Sequence, residues 1–262
     1  MNKIEITREI AAKVLTTVDA GLCLGLGDPV PGEMCVEAAV CYALGLPHGD
    51  DPKCVSEAVR SLKVSLNDKD WSSNKSRAKG LRRLALAQLG SLGAVDDKDF
   101  SRRVAEYTIR TMVPIALRAA ASLQKEAKHR RALTDAATRC EAEVTSAAAT
   151  AAVTAATDAT DAAYAVDTAA AHASHAAANA AAHAAHAAAN VAVYVAYNAV
   201  AHAVHAAHAV DTAAANAAAA ATAAATNNVE RDKILSQFAE GIVQILVEMD
   251  APGCQWLDMT EA

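Results

Sequence analysis

The sequence predicts an all-α protein with a helical head domain, a long alanine-rich helical tract and a C-terminal amphipathic helix. First, the 262 residues include only 11 Gly and 6 Pro, too few for the many tight turns of an all-β chain. Second, hydrophobic residues make up 53% of the chain but aromatic residues only 3%, so much of the apolar content is alanine, the best helix former. Third, apolar residues recur at helical spacing, and no segment alternates with a period of two for long.

The helical head domain is assigned to residues 1–145. Its first predicted helix covers residues 32–44, where apolar residues fall on one face and glycine and proline follow the last turn. A second helix is predicted to begin at Asp51 and Pro52, because aspartate is a good N-cap and proline fits the first helical position. Both helices are amphipathic, as expected of helices that line one compact core.

Two further helices are predicted in the head domain. One covers residues 74–89, with leucine and alanine on its inner face and lysine and arginine mostly on its outer face. The other runs from Asp97 to Leu123, and we expect Pro114 to kink it because proline removes a backbone hydrogen bond.

Basic residues are concentrated in the second half of the head domain. Fifteen Lys and Arg residues lie between Lys75 and Arg139, although the whole chain has a net charge of −6. The basic cluster Lys75–Arg83 has no interleaved aromatic residues and matches no nucleic-acid-binding motif, so we interpret these basic residues as a solvated helix face and expect no nucleic-acid partner. The loop GLCLGLGDPVPG, residues 21–32, contains a GxG triplet but follows no predicted strand and is not interpreted as a phosphate loop.

The alanine-rich tract, residues 146–226, carries an eleven-residue repeat. Between residues 151 and 226, 42 of the 76 residues are alanine, and the larger residues recur at intervals of three, four and four. An eleven-residue repeat corresponds to 3.67 residues per turn, so the larger residues stay on one face of a helix. We call this set the interaction stripe and predict that it binds a partner; its members are His172, His175, Asn179, His183, His186, Asn190, Tyr194, Tyr197, His205 and His208.

Residues 227–262 are predicted to form the C-terminal amphipathic helix and a tail that bears Trp256. The apolar face of this helix needs a hydrophobic partner, and we expect it to pack on a helical core. A single rod through the whole tract would carry the helix far from the head domain. The sequence leaves open whether the tract is one rod or folds back into a bundle.

The segment AAHASHAAANAAAHAAHAAAN resembles the alanine-rich repeats of bacterial immunity proteins from polymorphic toxin systems. The flanking segments PGEMCVEAAVCYALGLPHGDDP, WSSNKSRAKGLRRLALAQLGS and VQILVEMDAPGCQWLD are similar to those of uncharacterised bacterial and phage proteins. The resemblance implies a protein that binds and inhibits another protein, and it brings no catalytic residues with it.

The tract also resembles type I antifreeze helices, which share the eleven-residue repeat and the high alanine content. Their repeat presents threonine, whereas one position of the repeat here is mainly histidine. This difference argues against ice binding, which we keep as a further alternative.

Two groups of residues in the sequence have the side chains for metal or thiol chemistry. Seven of the nine histidines lie in the tract, as the pairs His172/His175 and His183/His186 and the triplet His202/His205/His208. Residues three apart share a helix face, so each pair could ligate one metal ion if a second helix completed the site; the alternative is a packed or hydrated polar seam. The residues Cys35, Cys41, His48 and Cys54 have spacings that match no zinc motif, and a Cys35 nucleophile with His48 as base would need an orienting acid. We therefore assign no metal site, no cofactor and no catalytic residue, and the sequence leaves open whether the histidines of the stripe bind a metal ion.

The sequence favours a non-enzymatic protein-interaction module, such as an immunity protein or a phage-encoded inhibitor. The alternative is a structural scaffold, a homo-oligomer that assembles through its alanine-rich helices. Residues 1–10 lack the apolar core of a signal peptide, and no transmembrane segment is evident. We therefore expect a cytoplasmic protein with free thiols that acts on a protein partner, on itself, or on both.

Overall fold

The structure is a computed structural model that describes residues 4–164, 171–182, 184–185 and 228–261. The all-α prediction is confirmed, because the described residues are helices and connecting loops without a strand. A single antiparallel bridge joins Gly27 to Met34. Among the described helices, none is both long and apolar enough to cross a membrane.

The helices are numbered here in chain order, with α9 known only over its described residues. They are α1 (Arg8–Asp19), α2 (Val36–Ala43), α3 (Glu57–Asn67), α4 (Asn74–Ala87), α5 (Asp97–Tyr107), a π-helical turn (Thr108–Met112), α6 (Val113–Leu123), α7 (Ala127–Glu143), α8 (Ser146–Tyr164), α9 (171–182), α10 (Asn228–Glu248) and a 3-10 segment (Pro252–Thr260).

The chain divides into two compact units: unit 1 is Met1–Phe100 with Leu235–Ala262, and unit 2 is Ser101–Ile234. This division follows contacts rather than composition, so it groups residues 101–145 with the alanine-rich tract. The division into 1–145, 146–226 and 227–262 stays a prediction about the segments of the sequence.

Unit 1 is built around α4. This helix contacts α1, α2, α3 and the 3-10 segment, and its leucines Leu81, Leu84 and Leu86 are almost completely buried. The C-terminal residues lie very close to it, since a side chain at Gly253 would collide with the carbonyl oxygen of Leu86. The apolar face of α10 from Leu235 onward is buried in the same unit.

Two predicted helix starts are wrong, because side-chain caps lie further along the chain. Helix α2 begins at Val36 rather than at residue 32, since the thiol of Cys35 accepts the backbone N–H of Ala38. Helix α3 begins at Glu57 rather than at Asp51, since the Ser56 hydroxyl caps it.

The predicted helix over 97–123 is divided by a π-helical turn instead of a simple kink at Pro114. The turn covers Thr108–Met112 and comes directly before α6, in which Pro114 is the second residue. Proline has no N–H and clashes with the carbonyl four residues earlier, so a wider turn at this point relieves both problems.

In unit 2, helix α7 packs against both α6 and α8. The connection from α7 to α8 is short: Val144 adopts a left-handed conformation with φ of 49°, and Thr145 caps α8 by accepting the N–H of Ala148. The first part of the alanine-rich tract therefore packs on a helix of its own chain.

Candidate interaction surfaces

The described part of α9 has one buried side and one exposed side. Its buried side consists of small residues, and Ser174 is completely buried. The Nε2 atom of Gln124, the residue that ends α6, donates a hydrogen bond of 2.6 Å to the Ser174 hydroxyl. Because this bond lies inside the unit, it fixes which face of α9 points toward solvent.

The interaction stripe lies on the exposed side wherever the structure describes it. His172, His175 and Asn179 are all exposed, so these side chains are hydrated and do not form a packed seam. The earlier repeats in α8 have the same arrangement, with the larger residues exposed and the alanines buried. Thr157 and Asp161 are exposed there, and the alanine face is buried. The other members of the stripe lie outside the described residues: His183, His186, Asn190, Tyr194, Tyr197, His205 and His208.

A second surface, in unit 1, is the loop that precedes α2; we call residues 21–35 the pinned loop. Three backbone hydrogen bonds cross it, from the N–H of Cys23 to Met34, from Asp28 to Glu33 and from Cys35 to Leu26, at 2.9–3.1 Å. These bonds hold the two arms of the loop together as a compact hairpin.

Residues outside the pinned loop hold it as well. The Asp68 carboxylate accepts the backbone N–H of Gly25 at 3.0 Å, and Nε2 of His48 donates to the carbonyl oxygen of Gly27 at 2.9 Å. Gly27 has a φ of +70°, and a side chain there would collide with the Glu33 carbonyl and the Cys23 sulfur. Only glycine therefore fits at this point of the loop.

The pinned loop exposes large aliphatic side chains to solvent. Leu24 is 62% exposed, Leu26 is 44% exposed and Val30 is 49% exposed. Such residues are normally found in the core, and three of them within seven residues of an ordered loop are a feature of surfaces that bind other proteins.

An open groove of about 790 Å³ adjoins the pinned loop through Pro31. Its walls are α1 and the C-terminal end of α2, and Tyr42, which lines it, is 49% exposed. On the rim, the ammonium of Lys13 lies 3.1 Å from the carboxylate of Glu9. The groove is lined by Glu9, Ile10, Ala12, Lys13, Thr16, Thr17, Pro31, Tyr42, Ala43, Leu44 and Gly45.

The cysteines are not arranged for nucleophilic chemistry. All six are free, and burial raises the pKa of the Cys35 and Cys54 thiols and raises that of Cys41 to about 12. A reactive thiol needs a lowered pKa instead. Cys35 caps α2, whereas the exposed His48 donates a hydrogen bond to the pinned loop, so the two serve different structural roles. Within the described residues, no three metal-ligating side chains form a group.

The interpretation of the α4 basic residues as a solvated face is wrong for several of them. Arg77 is buried and donates to the carbonyl oxygens of Asn67 and Leu22 at 2.8 and 2.9 Å. Arg83 pairs with Glu240 at 2.9 Å. These side chains hold loops and the C-terminal segment in place, which leaves them unavailable for phosphate groups.

The core of unit 1 also contains a closed ion pair. The Lys63 ammonium lies 3.2 Å from the Glu37 carboxylate, and both side chains are 0% exposed. The other carboxylate oxygen accepts a hydrogen bond of 3.2 Å from Gln88. Burial raises the pKa of Glu37 to about 7 and lowers that of Lys63. Because both charges are sealed from solvent, we assign the pair to the core rather than to a binding site.

Sequence reasoning missed the pinned loop, the groove and the closed ion pair. The glycines and leucines of the loop are visible in the sequence, but leucines of this kind are usually buried, and only the fold shows that these are not. Comparisons of the chain with protein-family models, with curated proteins and with solved structures find no match.

Proposed function

We propose that this chain is a non-enzymatic protein-binding module and that the pinned loop with its adjoining groove is the docking surface. The exposure of Leu24, Leu26 and Val30 on a loop held by backbone and side-chain hydrogen bonds carries this proposal. Covering these side chains removes apolar surface from water, which favours association. Since the loop is already ordered, binding costs little conformational entropy.

The shape and charge of the groove indicate the kind of partner. Two helices form its walls, and small residues such as Ala12, Ala43 and Gly45 allow close approach. Glu9 and Lys13 neutralise each other on the rim, so a charged ligand gains nothing there. An apolar face of a helix on the partner protein fits these properties, as in other complexes in which a helix lies in a groove.

The resemblance of the alanine-rich tract to bacterial immunity proteins supports an inhibitory role. In such a role the binding is itself the activity, and the partner is a protein toxin or another target enzyme. A phage-encoded inhibitor would use the same surface in the same way.

Quantitative capture from a lysate of the source cells tests the docking surface. The bait is the full chain, compared with a variant that carries Leu24→Ser, Leu26→Ser and Val30→Ser. The control is Leu92→Ser, which changes another exposed leucine, 51% exposed, outside the loop. We expect one protein to be captured by the wild type and the control and at least about tenfold less by the loop variant, with thermal midpoints nearly unchanged because exposed changes cost little stability.

Equal capture by all three baits would overturn the proposed docking surface, as would a wild type that captures nothing above an empty resin. The specific comparison between loop variant and control matters more than the identity of the captured protein.

A homo-oligomeric scaffold is the second candidate function. It is favoured by the exposure of the interaction stripe on α9, because an exposed repeat is a natural surface for self-association. Light scattering of the wild type and of a variant with Asn179→Ala tests it, and a monomeric mass at all concentrations argues against it. Ice binding is the further alternative, and a measurement of thermal hysteresis decides it.

A further inference from the structure

We propose that His172 and His175 form one half of a zinc site that a second copy of this chain completes. Both side chains are exposed on the same face of α9, one turn apart. Residues three apart on a helix have neighbouring side chains, so two imidazole nitrogens can reach one ion. Imidazole is a preferred ligand of Zn²⁺, at distances of about 2.0–2.1 Å.

The rotation of α9 about its axis is fixed, which matters for a metal site. Ser174 lies between the two histidines in sequence, but its side chain is on the opposite, buried side of α9. There its hydroxyl accepts the hydrogen bond from Gln124. Ala171 and Ala177 are buried on that same side. The pair is therefore held toward solvent without needing a rearrangement of the helix.

Short side chains follow the pair along α9, which favours the approach of a second helix. The residues that follow on the outer side are short: Ala176 is half-buried, and Asn179 and Ala182 are exposed. A neighbouring helix can therefore approach closely enough for four imidazoles to surround one ion. Small residues at such a contact permit short distances between helices.

Two imidazoles supply only half of the tetrahedral ligand set that zinc prefers. Within the described residues no third metal ligand is grouped with the pair. A second copy related by a two-fold axis contributes its own His172 and His175. The two chains together then supply four imidazole nitrogens, which complete the tetrahedral site. The same spacing recurs in the sequence at His183 and His186, eleven residues later.

The test uses the full chain with ZnCl₂ as the probe. In the first variant His183, His186, His202, His205 and His208 are all changed to Asn, so that His172 and His175 are the histidines left in the tract. We expect calorimetry to give one zinc ion for two chains, since the site is four-coordinate, and light scattering to show a doubling of mass that EDTA reverses.

A second variant adds His172→Asn and His175→Asn to the first. It should bind zinc at least about tenfold more weakly and keep its mass at the same zinc concentration, because the ligands are gone. His129→Asn, made in the first variant, is the control and should keep the dimer. Circular dichroism verifies that helix content is the same in all variants.

Equal zinc binding before and after removal of the pair would overturn the proposal, as would binding of one ion per chain without a change in mass. If the first variant loses helix content, His172→Asn and His175→Asn are made in the wild-type chain instead. The amount of bound zinc must then fall by one ion for every two chains, and an unchanged amount of bound zinc would contradict the proposal.

Discussion

Unit 1 and the alanine-rich part of unit 2 bury very different side chains. Unit 1 buries large residues such as Leu84, Phe238 and Ile242, together with the closed ion pair of Glu37 and Lys63. Helices α8 and α9 bury a face that is almost entirely alanine; its members are Ala148, Ala149, Ala152, Ala156, Ala159, Ala171, Ala173, Ala177, Ala178, Ala180 and Ala181.

This difference determines how each region is stabilised. Burying a large aliphatic or aromatic side chain contributes about 1.5–3 kcal/mol, whereas one methyl-sized group contributes about 0.8 kcal/mol. Unit 1 therefore depends on a few large contacts, and the tract depends on many small contacts kept in register. Single substitutions should have large effects in unit 1 and small effects in the tract, unless they add volume to the alanine face.

The largest effect is expected from breaking the closed ion pair. Lys63→Met leaves the buried Glu37 carboxylate without its partner and should lower the free energy of unfolding by about 3–5 kcal/mol. The double variant with Glu37→Gln should recover much of this loss, because no buried charge is left alone. Urea denaturation at pH 8 measures both, and a loss below about 1 kcal/mol in the single variant contradicts a closed, charged pair.

The pH dependence of unit 1 should be the next largest effect. The folded pKa of Glu37 is raised to about 7 from 4.5, so the folded state keeps a proton that the unfolded state releases between these values. The proton held by Glu37 contributes fully to the stability of the folded state below pH 4.5. As the pH rises to 7, this contribution is lost and the free energy of unfolding falls by up to about 3 kcal/mol. The lowered pKa of Lys63 has the opposite sign, because the folded state releases this proton first and its contribution to stability increases as the pH rises.

Glu37→Gln isolates this contribution because the amide does not titrate. Subtracting its unfolding free energy from that of the wild type, measured from pH 4.5 to 7.5, removes the titration of the groups that Glu37 does not contact. A difference that stays constant over this range would show that the Glu37 pKa is not raised.

Adding volume to the alanine face should have an intermediate effect. Ala181 is fully buried while its neighbour Ala182 is exposed. Ala181→Leu should therefore cost about 1–3 kcal/mol through overpacking. Ala182→Leu should change stability by less than about 0.5 kcal/mol. Denaturation followed by circular dichroism compares the pair, and equal effects would mean that α9 does not pack through this face.

The smallest effect is expected at an exposed ion pair. Arg118 contacts Glu141 at 2.7 Å between α6 and α7, and this hydrogen bond lowers the pKa of the glutamate. Both side chains are more than 40% exposed, so water screens the pair. A double-mutant cycle with Arg118→Gln and Glu141→Gln should give a coupling below about 1 kcal/mol. A larger coupling energy would mean that the Arg118–Glu141 pair contributes to stability as strongly as the closed ion pair of unit 1.

Several helices were predictable because local signals agree with the packing. The predicted helix over 74–89 is α4 with an end two residues earlier, since its leucines, its N-terminal serine cap and its burial all agree. Helices α1 and α7 were not predicted individually. The starts of α2 and α3 were misplaced because proline and Asp51 are equally plausible start signals in sequence, whereas the folded chain uses Cys35 and Ser56 as the caps.

The candidate site was less predictable than the fold. The repeat identified the interaction stripe, but its exposure depends on the partners of the alanine face, among them the hydrogen bond between Gln124 and Ser174. The roles of Arg77 and Arg83 were misjudged because their acceptors, Leu22 and Glu240, are distant in sequence. Pattern alone does not reveal such contacts.

The sequence by itself determined the all-α class and the eleven-residue repeat, because helix propensity and apolar periodicity act over a few residues. Only the tertiary structure decided that the described stripe faces solvent, that Leu24 and Leu26 are exposed and that Glu37 and Lys63 are sealed in the core. Burial depends on what packs against a residue, and most of those neighbours come from distant parts of the chain. The physical reason is that a helical pattern defines the apolar face of a helix but does not determine which other part of the chain packs against that face.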